Sequence, residues 1–449
     1  MRIKRYILTA FACLFLSSPA LAQTSPIQFS IRDRVLVIAP HPDDETLGAG
    51  GIIQAALEVK AEVKILYLTH GDHNEIASIF YQKKPLVVKS DFLKSGQIRK
   101  TEAIGAMSVL GVGEKNLIFF GYPDFGTLSI WRKHWGKVKP FRSFITRINK
   151  VLYREDFSYG HYNRGDSIVQ DLEKVILDFK PTQVFVTAPF DLNSDHQAAY
   201  LFLNVALFEL EGKLPAPKVY VYLIHARKWP APRKLTEEAP LTPPDRVAGN
   251  REGLEWIFYP LTANQVELKR QVLLKYDSQV AYSKPFMLSF VRGNELFLQL
   301  PFETLKVSAD AKVPTADPSA VPDTKSAARE VEYRILDKYL VVDIRLISPL
   351  DEIGALKVEL FSYKRGVSFA SMPKLALRLF GNRLFANDGY YRMSSKEIVY
   401  HLDLKEKKVV IKVPMALLNG PDYLFAATQT AKEDISLDFG SWEVLKIES

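Results

Sequence analysis

The sequence predicts an α/β protein with a parallel sheet covered by helices on both faces, followed by a separate all-β domain. Three observations predict it. Apolar runs rich in β-branched and aromatic residues alternate with helical patterns as far as Ala226. Those runs are apolar throughout rather than at every second residue, the mark of strands buried on both faces. Beyond the 320s the runs become short and alternating and helical periodicity is scarce, as in a β-sandwich.

The strand-like runs are Arg34–Pro40, Val63–Thr69, Asn116–Gly121, Thr182–Pro189 and Lys218–Ile224. The helical patterns Thr46–Glu58, Gln97–Leu110, Ile168–Phe179 and His196–Leu210 lie between them, each a plausible crossover between parallel strands. Thr262–Tyr276 reads as one more amphipathic helix. Lys306–Ala328 is rich in Ala, Asp, Pro, Ser and Lys and reads as a linker. The second domain, 329–449, carries the alternating runs Tyr339–Leu346, Leu356–Tyr363, Ile398–Leu404, Lys408–Val413 and Trp442–Ile447. The 449 residues suffice for two or three domains, and at 47% hydrophobic and 24% charged they are ordinary globular material.

The first residues differ from the rest. Arg2, Lys4 and Arg5 precede the apolar run Ile7–Leu16, and Ala20-Leu21-Ala22 supplies small residues at a cleavage spacing. Residues 1–22 therefore read as a signal peptide, with an uncleaved anchor as the alternative. The expected location is secreted or periplasmic, with no transmembrane anchor in the mature chain. Cys13 is the only cysteine, so the mature chain would have none, and a metal site must use nitrogen and oxygen ligands. Without residues 1–22 the chain has 56 basic against 51 acidic residues. The basic balance is thus weak evidence for nucleic acid, which is not expected as a partner. Anionic glycans or lipid headgroups suit an exported chain better.

The stretch "VIAPHPDDETLGAGG", Val37–Gly51, places ionisable chemistry directly after the first strand. In an open parallel sheet, ligands bind outside the carboxyl ends of the strands. His41 and Asp44 are three apart on a turn restricted by Pro42, so both can reach one ion. A third ligand, His196, opens the helix after the strand in "VFVTAPFDLNSDHQAAY". Two histidines and an aspartate leave an open position, the arrangement of catalytic zinc. Asp43 points the other way and is available as base toward water held by the ion. Alone, the turn could be a helix N-cap with extra acids, and His196 a surface or capping histidine.

"PHPDDE" after a first strand, with a distal "DH" after a later one, resembles the PIG-L/LmbE-like zinc-dependent de-N-acetylases. The resemblance runs from about 34 to 292 and includes "IRKTEAIGAMSVLGV", "FFGYPDFG" and "LLKYDSQ". It implies a Rossmann-like, LmbE-like fold for a first domain spanning 23–305. It also implies removal of acetyl groups from N-acetylglucosaminyl compounds or related amides. One Zn2+ per chain is implied, another divalent metal being compatible, with His41, Asp44 and His196 as ligands and Asp43 as general base. Arg99 and Asp124 match substrate-contacting positions. Glu45, Gly48, Gly50 and Gly51 match structural ones.

One departure stands out. Many relatives carry His-x-Asp-His in the distal motif, and this chain has Asn193 in "NSDH". Asparagine can donate a hydrogen bond to an oxyanion but carries no titrating proton. His225, ending the strand "VYVYLIH", is expected on the same carboxyl edge and could take over as a protonated imidazole; packing at a strand end is the alternative. His70 and His73 are weaker candidates by the same logic. Residues 127–166 form an insertion with nine Lys/Arg against three acids and eight aromatics, including Trp131 and Trp135. Either the aromatics stack on sugars above a cationic rim, which would suit an anionic glycoconjugate, or they form the core of a helical lid. A non-catalytic glycan-binding protein and a hydrolase of another N-acyl amide are the rival functions.

Overall fold

The computed structural model describes residues 27–73, 89–245, 254–308, 328–347, 354–432, 435–436 and 441–448. The expected signal peptide and residues 309–327 of the expected linker lie outside them.

Strands β1 (Arg34–Ala39), β2 (Glu62–Thr69), β3 (Leu117–Tyr122), β4 (Gln183–Thr187) and β5 (Lys218–Tyr222) form an all-parallel sheet in the order β3-β2-β1-β4-β5. The connecting helices are α1 (Asp44–Glu58), α2 (Lys89–Leu110), α3 (Thr127–Lys133), α4 (Gly165–Phe179) and α5 (Ser194–Glu209). Val35–Ala39 and all of β4 are buried at consecutive residues, so both faces are covered, as the unbroken apolar runs require. The strand order reverses between β1 and β4. That reversal opens a crevice at their carboxyl ends, where ligands bind in such sheets.

Helix α1 is seated by small residues and a buried ion pair. A Cβ at Gly48 would stand 2.1 Å from the Tyr222 ring, and one at Gly51 2.2 Å from Leu261, so larger residues would push the helix off its bed. The helix kinks at Ala49. Beside the kink, Gly51 N and Ile52 N donate to Glu295 at 2.7 and 3.1 Å, and Lys269 Nζ neutralises that carboxylate at 2.6 Å. Lys269 comes from α6 (Ala263–Leu273), started by a Thr262–Gln265 capping box, and α7 (Asp277–Leu288) follows it. Glu295 lies in β7 (Asn294–Phe297), paired antiparallel with β6 (Ile257–Pro260).

The second domain is built from β8 (Glu303–Ser308), β9 (Ala328–Leu336), β10 (Tyr339–Leu346), β11 (Ala355–Tyr363), β12 (Lys374–Phe380), β13 (Arg383–Asp388), β14 (Tyr391–Met393), β15 (Val399–Asp403), β16 (Lys408–Pro414), β17 (Tyr423–Lys432), β18 (Ile435–Ser436) and β19 (Trp442–Glu448). Among the described residues they hydrogen-bond in the order β14-β13-β12-β11-β17-β19-β8-β9-β10-β16-β15, with β18 on β17. The two ends of this run enclose one core: Leu340, Val342 and Ile344 on one side, Val358, Leu360 and Leu377 on the other. The sandwich expectation holds in this sense. β8 was not legible as a strand. Of Glu303 to Val307 only Leu305 is buried, and β8 exists because β19 and β9 flank it. The second sheet therefore begins at Glu303, ahead of the expected boundary at 305 and the expected linker start at Lys306.

The opposite face of β11, β17 and β19 packs on the first domain. Trp131 of α3 is fully buried, with ring contacts at 5.1–5.8 Å to Trp135, Phe202, Phe361, Phe369, Phe425 and Trp442. Trp131 and Trp135 are thus domain-interface core, and the sugar-stacking alternative for these two rings is set aside. Arg132 Nε donates to Glu359 Oε2 at 3.0 Å across the same interface.

Candidate active site

The crevice between β1 and β4 receives the turn after β1 and the start of α5. His41 Nδ1 and His196 Nε2 each lie 3.1 Å from Asp44 Oδ2, and 3.3 Å from one another. His41, Asp44 and His196 are all buried. Three donor atoms about 3.2 Å apart suit one small divalent ion, since tetrahedral bonds of 2.0–2.1 Å place ligands roughly 3.3–3.4 Å apart. Burial works against charge on Asp44, yet His196 and His41 hold its carboxyl well below the ordinary value, so it is an anionic donor. Each histidine has a carboxylate behind it: His41 Nε2 lies 3.0 Å from Asp124 Oδ1, and His196 Nδ1 lies 3.2 Å from Asp191 Oδ2. Metal-binding histidines are oriented in this way. The donor set therefore fits a divalent metal.

Asp43 sits beside the triad in a strained conformation, with φ 113° at a non-glycine residue. Such strain costs about 1–3 kcal/mol and persists only where neighbours enforce it. Glu45 is one enforcer: its Oε2 accepts from Asp43 N at 3.0 Å, and its Oε1 accepts from Thr46 Oγ1 at 2.6 Å and from the Tyr276 hydroxyl. Arg99 is another. Its Nη1 donates to Gly71 O at 2.9 Å, and its Nη2 to Pro42 O at 2.6 Å and Asp43 Oδ2 at 3.2 Å. Burial pushes the Asp43 carboxyl up to about 8 despite the Arg99 charge. A cation held at the neighbouring triad would favour the charged carboxylate, the form in which Asp43 can act as a base.

Two expected substrate contacts are placed otherwise. Arg99 is 4% exposed, with its guanidinium spent on the turn and on Asp43. Asp124, 7% exposed, backs His41 and accepts from His73 N at 2.9 Å and Phe125 N at 2.9 Å. Both position the site's own groups. A long planar cation and a carboxylate are equally suited to substrate and to second-layer support, so residue type did not distinguish the roles.

Asn193 is the N-cap of α5, its Oδ1 accepting from Asp195 N at 2.8 Å. The cap uses the carbonyl and leaves the amide NH2 as the donor. His225 does reach the site: its ring centroid is 4.8 Å from that of His196, and it stacks on Phe286. Burial pushes it down to about 4, so the expected protonated imidazole is a neutral ring at pH 7.

Asp191 and Asp195 were not singled out as functional in the sequence. Asp191 Oδ2 accepts from Ile224 N and His225 N, both at 2.9 Å, joining the ends of β4 and β5 behind His196. Asp195 accepts from Phe125 N at 2.6 Å and Thr127 N at 3.1 Å, tying α5 to the start of α3. Their place in "DLNSDH", flanking a ligand histidine, is the signal that could have found them. His70 belongs to a different buried cluster, 2.5 Å from Asp156, which also pairs with Lys100 at 2.8 Å. His73 packs edge-on against Phe92 and Phe125.

Residues 36–207 match the family described as PIG-L: GlcNAc-PI de-N-acetylase. A 1D-myo-inositol 2-acetamido-2-deoxy-alpha-D-glucopyranoside deacetylase of Mycobacterium sp. (strain KMS) is 32% identical over 115 residues, 26% of this chain and 36% of that protein. A putative glucosamine-6-phosphate deaminase-like protein of Bacteroides thetaiotaomicron is 22% identical over 280 residues, 57% of this chain and 37% of that one. The chain spans a little over a third of the length of these curated relatives. Among solved structures, the N,N'-diacetylchitobiose deacetylase from Pyrococcus horikoshii aligns with TM-score 0.37 and 18% identity, covering 60% of this chain and 84% of that one. The matched residues hold His41, Asp43, Asp44 and His196, and through them the chain carries a domain of the PIG-L/LmbE-like de-N-acetylase family.

Proposed function

We propose that the chain hydrolyses the N-acetyl amide of an N-acetylglucosamine-type sugar or glycoconjugate and releases acetate. We further propose that zinc is its ion, one per chain, and that residues 1–22 export it. The carrying observation is the buried His41-Asp44-His196 triangle with Asp43 beside it outside the ligand set. The family match and the relatives named as deacetylases support the reading.

When bound at His41, Asp44 and His196, a divalent ion supplies Lewis-acid polarisation and makes a nucleophile available at neutral pH. Asp43, braced by Arg99 and Glu45, takes the proton of the attacking water and delivers it to the departing sugar nitrogen. Asp124 and Asp191 keep the two histidine rings in one tautomer and orientation. The Asn193 amide and the neutral His225 ring are the donors available for the developing oxyanion.

The test is incubation of the purified protein with N,N'-diacetylchitobiose and related N-acetylated sugars, reading acetate, with metal measured on the same sample. Acetate release that tracks metal content is expected. Absence of release from any N-acetylated sugar by metal-replete protein would overturn the reading.

A further inference from the structure

The turn after β3 carries a large apolar side chain that is part of neither hydrophobic core. Pro123–Gly126 is closed by Gly126 N donating to Pro123 O at 3.1 Å. Its third residue, Phe125, has φ 53°. A left-handed backbone at that place in a turn normally falls to glycine or asparagine, and a bulky residue there is strained. Gly126 serves another purpose, close packing: a Cβ on it would stand 2.6 Å from the Phe141 ring. Phe125 is 50% exposed, so burial of its ring does not offset the strain. Strain of this kind collects at binding and catalytic sites.

The backbone of Phe125 is tied to the ion-binding triad. Phe125 N donates to Asp124 Oδ1 at 2.9 Å and to Asp195 Oδ2 at 2.6 Å, and the same two oxygens lie 3.0 and 3.4 Å from His41 Nε2. The ring therefore stands at the His41 side of the crevice. There it meets the half-buried His73 ring at 5.3 Å and 84°, so that the two rings form a corner. His73 is itself fixed, its N donating to Asp124 Oδ2 at 2.9 Å. Asn193 and His225, the donors available to an oxyanion, lie on the His196 side. An amide whose oxygen turns to those donors directs its nitrogen, and whatever that nitrogen carries, toward His41 and Phe125.

We propose that Phe125 is the specificity-determining platform of the site: the pyranose ring that bears the acetamido group lies with its apolar C–H face against the Phe125 ring, cornered by His73. The negative face of a phenyl ring attracts polarised C–H bonds. One aromatic wall beside a few fixed polar groups is also how pockets set the orientation of a small ligand. An acyclic N-acetyl amine offers no such face, so the platform selects cyclic amino sugars over other N-acyl amides. The inference rests on the proposed de-N-acetylase reading for its ligand. Binding at the platform, however, requires no turnover.

The experiment compares the full-length, metal-replete protein with its Phe125→Gly and Phe125→Tyr variants. Acetate release is measured from N,N'-diacetylchitobiose and from N-acetylethanolamine, an acyclic amide. Chitobiose binding is measured by calorimetry in the Asp43→Asn background, which stops turnover. Phe125→Gly should weaken chitobiose binding and raise its KM about tenfold with little change in kcat, because the contact is present in ground and transition states alike. The preference for chitobiose over N-acetylethanolamine in kcat/KM should fall about tenfold in the same variant. Phe125→Tyr keeps the aromatic face and should restore binding and KM. The melting temperature of Phe125→Gly should equal or exceed that of wild type, because glycine accepts the left-handed backbone without strain. Unchanged binding and KM in Phe125→Gly would overturn the platform. So would a fall in kcat with KM unchanged and a lower melting temperature, which would make Phe125 a brace for Asp124 and Asp195. Chitobiose binding that depends on Phe125, without acetate release from any sugar, would leave the platform standing and sink the de-N-acetylase reading. Neither binding nor release would sink both.

Discussion

Trp131→Ala tests how far the two domains form one folding unit. A buried tryptophan removes roughly 150–250 Å² from water, which at about 25 cal/mol/Å² sets an upper bound near 4–6 kcal/mol. Measured tryptophan and phenylalanine truncations in cores cost about 3–5 kcal/mol. Trp131 belongs in the upper part of that range, because its six aromatic neighbours come from both domains and cannot all close the cavity. The expected loss is about 4 kcal/mol in urea unfolding followed by far-UV circular dichroism. The same substitution should convert one transition into two, since it removes the centre of the interface while leaving the core around Val342 and Leu360 intact. A fragment ending near residue 308, which the linker reading would release as a free catalytic domain, should be poorly soluble because it bares Trp131. A loss below about 1 kcal/mol with a single unchanged transition would refute this account of the interface.

Other expectations follow from the site and the interface. Asp43→Asn should keep the metal, measured by elemental analysis, and lower kcat about 10²–10⁴-fold, whereas His41→Ala, Asp44→Ala and His196→Ala should each strip the metal; full occupancy in all three would remove the triad. Glu359→Gln should cost about 2 kcal/mol at pH 7 by thermal melting. Burial works to raise the Glu359 carboxyl, but Arg132 and Lys357 hold it below its ordinary 4.5, so its stabilisation is present above that pH and fades as pH falls through the lowered folded value. The gap between wild type and variant should therefore narrow in acid; a gap that widens there would contradict the pairing. His225→Ala should lower kcat and kcat/KM together with little change in KM or in the pH profile from 6 to 9, because the ring is neutral in that window. Asn193→Ala should cost less activity and about 1 kcal/mol of stability through its cap; a silent His225→Ala beside a crippled Asn193→Ala would assign the oxyanion donor to Asn193 alone.

Much of the first domain was legible because its signals are local. The run Val35–Ala39 is apolar at every position, and a strand with no polar face must be covered on both sides. The helix and strand boundaries read from periodicity fall within a few residues of those observed, apart from α2, which begins at Lys89, ahead of the expected Gln97. His41, Asp43 and Asp44 were legible for the same reason: three functional groups on one turn need no tertiary information to be close together. His196 needed only the rule that strand ends share one edge. The second domain was harder. Strands such as β8, β13 and β14 expose most of their residues, and an exposed strand leaves only a weak alternating pattern.

The sequence by itself determined the sheet, the crevice and the residues that meet there, because periodicity and strand-end chemistry are written along the chain. Only the tertiary structure decided what stands behind them. Asp124 could have faced substrate or His41, and Arg99 could have faced a ligand or the Asp43 turn; composition is silent between such choices, since the same charge serves both. Trp131 and Trp135 could have met sugar, and they meet Phe361, Phe425 and Trp442, residues over two hundred positions away. A side chain's partner is set by which elements the fold brings together, and contacts between residues so far apart leave no local trace in either segment.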